Sequence, residues 1–158
     1  MKKENLLQSA SSLNQPSAKA LNEFSEKAET FAKIINEHFL QRHDLESLVG
    51  KDNAEMMCEN HRNHLRFMMS LFTHYEPQVL VETVLWVFRA YRSHGFKLTY
   101  WPAQLDNWVA IFRKELSADV FDEIYPFYHW MIVNNPAFAM LSDQAISEDT
   151  SFAVARHD

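Results

Sequence analysis

The sequence predicts an all-α protein, a single compact bundle of about five helices, and three observations carry that prediction. Only two of the 158 residues are glycine, while Leu, Ala, Met, Glu and Phe abound, a balance poor in turns and rich in helix formers. Apolar residues recur in steps of three and four, the period of an amphipathic helix. Aromatic residues make up 13% of the chain and spread from Phe24 to Phe138, which suits a packed core.

Residues 1–16 are polar, rich in Ser and Asn, and end at Pro16; they are expected to form a mobile N-terminal arm. The helical domain then spans 17–141. Ser17 caps a first long helix reaching to about His43, with Leu21, Phe24, Ala28, Phe31, Ile35 and His38 along its inner seam. Asp44 opens a single turn that stops at Gly50, a C-terminal cap residue. Asp52 with Glu55 three positions later has the form of a capping box for the next helix, which runs to about Glu76. On that helix Ala54, Met57, His61, His64, Met68, Leu71 and Tyr75 share one face.

Pro77 belongs in the first turn of a third helix, apolar nearly all round from Val79 to Phe88 and therefore expected at the centre of the bundle, with Gly95 as its C-terminal cap. A fourth helix opens at Pro102 and lines up Leu105, Trp108, Val109, Phe112 and Leu116. Ser117 caps a fifth, whose inner face carries Phe121, Ile124, Tyr128 and Met131. Pro126 inside it frees the carbonyl of Asp122, and Asn134-Asn135-Pro136 is expected to end it. Residues 142–158 lack an apolar face and are expected to be a loose C-terminal tail.

Composition excludes several function classes. A formal charge of −6, with Lys and Arg dispersed, argues against nucleic-acid binding. Cys58 alone allows no internal disulfide and no cysteine-based zinc site. The start of the chain has no apolar run of the secretory type, and the Val79–Phe88 stretch is far too short to span a bilayer; a cytoplasmic protein without membrane insertion is expected. No GxSxG elbow, HExxH pair or glycine-rich phosphate loop occurs, so no enzyme is expected.

Histidines on inner faces are the residues with chemical character. His61 and His64 lie three apart on an apolar seam, where each imidazole needs a hydrogen-bond partner, a ligand or a metal. With Trp86, Arg89, Tyr128 and His129 they form the candidate ligand pocket, placed beside the seam and against the helix of Pro126. Structural roles outweigh ligation, because a zinc site needs a third or fourth ligand. The alternative is a haem, tetrapyrrole or metal site using His61 or His64 with His129 or His94. Arg89 and Arg92 sit on an otherwise apolar helix and are expected to pair within the protein, with acidic side chains of neighbouring elements, rather than to bind an anionic ligand. Tyr100-Trp101, at a helix entrance, is the expected exposed aromatic patch.

Through His61, His64 and Leu65, then Val84-Leu85-Trp86 and Gly95-Phe96, residues 54–135 resemble the helical sensory domains that precede output modules in some bacterial signalling proteins, several of them globin-like. The resemblance implies a globin-like or four-helix-bundle-like arrangement and a non-catalytic role in ligand sensing or partner binding, sometimes with a tetrapyrrole. The expected protein is accordingly a cytoplasmic sensory or adaptor module that binds a protein partner or forms a homodimer, with no resident cofactor unless the tetrapyrrole alternative holds.

Overall fold

The computed structural model describes the backbone of residues 2–157 and the side chains of residues 2–144. The fold is all-α, as the composition requires. Among the described residues there are seven helices rather than five: α1 (Lys3–Ala10), α2 (Ala18–Leu40), α3 (Leu45–Val49), α4 (Ala54–Thr73), α5 (Pro77–Ser93), α6 (Tyr100–Glu115) and α7 (Ala118–His157).

One of the extra helices is α1, within the segment expected to be a mobile arm. Leu6 and Ala10, four apart and thus on one face, are completely buried against α5 and α7. Polar contacts fix the segment further. Trp130 Nε1 donates to Ser9 Oγ at 2.9 Å and the Tyr75 hydroxyl donates to the Ala10 carbonyl at 2.6 Å. Beyond the helix, Gln15 bridges both ways: its amide donates to the Phe72 carbonyl at 2.5 Å and accepts from the Tyr75 N–H at 2.6 Å.

On α2 the expected seam holds from Phe24 to Ile35, but it continues through Phe39 rather than His38. A period of 3.6 carries the seam four residues beyond Ile35, so His38 turns outward and its Nδ1 meets Asn107 Oδ1 at 3.0 Å. Ser17 caps the helix as expected, its hydroxyl accepting from the Ala20 N–H. The capping box at Asp52 and Glu55 does not form. Asn53 is the N-cap of α4, and its amide donates instead to the carbonyls of Val49 and His94, at 2.7 and 2.8 Å.

That pair of bonds stitches the α3–α4 corner to the α5–α6 loop, and the chain's two glycines meet there. Gly50 has φ +91° and Gly95 φ +103°, and a Cβ on Gly50 would lie 3.1 Å from the Gly95 carbonyl oxygen. Lys97 N–H closes the junction on the Leu48 carbonyl at 2.8 Å.

The central helix is α7, not α5. Between Val120 and Phe138 it buries Ile124, Phe127, Tyr128, Trp130 and Met131, and it packs on α1, α2, α5 and α6. In α5 only Leu80, Val81 and Phe88 are buried, while Val79 and Trp86 are exposed. The all-round apolar surface of α5 is divided among α1, α7, solvent and the wall of a cavity. Towards its C-terminal half α7 runs parallel to α5, with Phe88 against Phe138 and Arg92 donating to Ser142 Oγ at 2.8 Å. Arg92 also pairs with Asp143 at 2.5 Å, the internal pairing expected of it.

The helix continues through both Pro126 and Pro136, past the end expected at Asn134–Pro136. Each proline removes one backbone donor, and near Pro136 the Asn134 amide donates to the Trp130 carbonyl at 2.8 Å. The backbone of the expected 142–158 tail is helical as far as His157; its side chains beyond Gln144 lie outside the described residues. No helix among the described residues is long and apolar enough to cross a membrane.

Candidate functional site

Four helices surround a cavity of about 310 Å³. α4 presents Asn60, His64 and Phe67 at positions i, i+4 and i+7, one face of the helix, with Asn63 beside them. α5 supplies Thr83, Val84, Val87, Phe88 and Tyr91, with Trp86 at the rim; α6 supplies Trp101, Gln104 and Leu105; α7 closes it with Met131 and Phe138. The volume falls near the lower end of the roughly 300–1,000 Å³ of small-molecule sites. The space exists because α4 packs on α2 and α3, whereas α5 packs on α1 and α7, so the two facing helices are held by different neighbours.

Three buried side chains form a closed polar triad at one wall. The Tyr100 hydroxyl donates to Asn60 Oδ1 at 2.8 Å, and the Gln104 amide donates to both Asn60 Oδ1 and the Tyr100 hydroxyl, at 2.6 and 2.8 Å. Burial raises the Tyr100 hydroxyl well above its ordinary pKa, so it stays a donor. Next to the triad, His64 stacks on Trp108 with ring centroids 5.2 Å apart, and its Nε2 lies 2.7 Å from the Tyr128 hydroxyl. A phenol is the better donor and an imidazole nitrogen the better acceptor, so Tyr128 donates and the imidazole proton sits on Nδ1.

His61 occupies the other side of the same seam and does not line the cavity. Its ring is fully buried among Phe39, Tyr100 and Trp108, and its Nδ1–H donates to Asn36 Oδ1 at 2.7 Å. Its Nε2 is sealed without a partner. Burial pulls both imidazoles down to about 3, and for His61 the neighbouring His64 adds to the effect. Both rings are neutral at ordinary pH.

Of the sequence-predicted pocket residues, the fold brings His64 and Trp86 to the cavity, with Tyr128 directly behind His64. Arg89 lies elsewhere, on a surface groove with Lys3 and Glu82. His129 is exposed on α7 beside Tyr125, and His94 is exposed at the end of α5, so neither joins His61 or His64. Among the described residues no three His, Cys, Asp or Glu side chains gather to hold a metal ion. Tyr100 and Trp101, expected as an exposed patch, are buried; Trp86, 57% exposed, is the surface aromatic instead. Cys58 is partly buried and its thiol is pushed up by desolvation, the opposite of an activated nucleophile.

Sequence reasoning missed Asn60 and Gln104. Their signal is spacing: Asn60 precedes His64 by one helical turn, and Gln104 follows Tyr100 by one. Compared with protein-family models, with curated proteins and with solved structures, the chain finds no match, and its function has to be argued from its own residues.

Proposed function

We propose that this chain is a non-catalytic cytoplasmic sensory module that binds a small molecule between α4 and α5 and signals occupancy through a protein partner or a second copy of itself. The cavity of about 310 Å³ carries the reading, because apolar walls meet a small set of fixed polar groups there, the usual make-up of a ligand site. A binding role fits better than catalysis. The polar groups that the described residues bring to the cavity are amides, hydroxyls and a neutral imidazole, with no carboxylate to act as base and no activated nucleophile among them. The tetrapyrrole alternative has less support, since His64 Nε2 already faces Tyr128 and His61 Nε2 is walled in by aromatic rings.

Isothermal titration with naphthalene, a neutral apolar probe, tests the reading. Wild-type protein should bind it with a dissociation constant of micromolar to millimolar order. Val84→Trp, which fills the cavity from α5, should weaken binding at least about tenfold. Equal binding by the two proteins would place the probe elsewhere and remove the proposal. Light scattering with and without the probe reports whether occupancy changes self-association.

A further inference from the structure

The triad leaves two amide atoms over. Asn60 Oδ1 is taken by two donors and Gln104 Nε2 donates twice, so Asn60 Nδ2 and Gln104 Oε1 have no partner among the described residues. Both residues line the cavity although they are only 3% and 2% exposed. The sealed, unpartnered polar atoms among the described residues are His61 Nε2, Trp101 Nε1, Trp108 Nε1 and Asn135 Oδ1. The two amide atoms are not of that kind, and the open space they reach is the cavity.

A donor and an acceptor thus remain, on two amides joined by a 2.6 Å hydrogen bond and held by three internal bonds in all. The aromatic rings of the lining that keep exposed surface are Phe67, Trp86 and Tyr91, suited to a flat ring, whereas Phe88 and Trp101 stack on each other and Phe138 is sealed. Among the described residues no Asp, Glu, Lys or Arg lines the cavity, so a charged ligand would lose its hydration without a counter-charge. We infer that the cavity takes an uncharged flat ring carrying a carbonyl next to an N–H, a lactam-type edge, with Asn60 Nδ2 donating to the carbonyl and Gln104 Oε1 accepting from the N–H. His64 Nδ1–H is a third donor at the same wall. This specificity rests on the proposal that the cavity is a ligand site, and it goes further by naming the ligand's chemistry.

Four probes of similar size separate the terms in titrations of the full chain: 2-quinolone, N-methyl-2-quinolone, naphthalene and 2-naphthoate. The inference predicts that 2-quinolone binds at least about tenfold tighter than naphthalene or its N-methyl analogue, and that 2-naphthoate binds weakest. Gln104→Leu should bring 2-quinolone down to the level at which the same variant binds naphthalene. The N-methyl comparison uses wild-type protein only, so it decides the matter even if Gln104→Leu fails to fold. If 2-quinolone binds no better than naphthalene and the N-methyl analogue, the lactam edge is wrong while the ligand site stands. Binding of 2-naphthoate as tight as that of 2-quinolone overturns the requirement for a neutral ligand. Failure of all four probes to bind overturns the ligand site itself.

Discussion

His61 is kept neutral by its surroundings, and that has a measurable consequence. Its pKa is about 3 in the folded protein and about 6.5 in an unfolded chain, so on acidification the unfolded state takes up its proton first. The contribution of His61 to stability is intact above pH 6.5 and is lost progressively as pH falls from there towards 3. His64 behaves in the same direction. Each group should remove about 1.4 kcal/mol of stability per pH unit inside that window. The carboxylates whose pKa is lowered by their partners, among them Glu23 beside Ser117, act in the window below their ordinary value of 4.5, so pH 6.5 to 5 reports on the histidines. Replacing both members of the buried pair, Asn36→Leu with His61→Phe, removes a hydrogen bond but also the sealed Nε2. Urea denaturation should find that double variant within about 1 kcal/mol of wild type at pH 7, with a pH slope shallower by about 1.4 kcal/mol per unit. An unchanged slope would mean that His61 titrates normally in the folded state. The inward placement of these histidines was legible, because the Met57–Leu71 seam fixes the face. Which partner each would find was not, since Asn36 and Tyr128 come from helices 25 and 64 residues away.

The helix α1 shows what a local pattern conceals. Its sequence has only two apolar positions on the buried face, Leu6 and Ala10, too few to announce an amphipathic helix. The groove between α5 and α7 supplies the burial that eight residues cannot supply alone. Leu6→Ala should therefore cost about 2–5 kcal/mol in urea denaturation, as for a core leucine, whereas a mobile arm would give no change. The junction of Gly50 and Gly95 was half legible: both glycines were expected to end helices, but their mutual contact belongs to the assembled fold. Gly50→Ala should destabilise by about 1–3 kcal/mol, since alanine strains at φ +91° and its methyl group would meet the Gly95 carbonyl. The rank of α5 and α7 was not legible because hydropathy measures apolar surface without saying what covers it. α5 has more apolar circumference than buried residues, and α7, interrupted by two prolines, became the central element.

At the scale of the whole molecule the central feature is the cavity between α4 and α5. Core residues and cavity-lining residues are chosen from the same apolar alphabet, so Phe67, Val84, Val87, Leu105 and Met131 gave no warning that they line a pocket. Only the separate anchoring of α4 and α5 opens it. Ligand binding there can shift the protein between conformations only if one conformation binds more tightly, and the ion pairs Lys3–Glu82 and Arg92–Asp143 link α5 to α1 and α7. A crystal pressurised with xenon is the most direct measurement, because xenon settles in accessible apolar cavities and is seen without any assumption about the natural ligand. A xenon atom is expected between α4 and α5, in contact with Phe67, Val84, Val87, Leu105 and Met131. Absence of xenon there, with those side chains packed against one another, would contradict the ligand site.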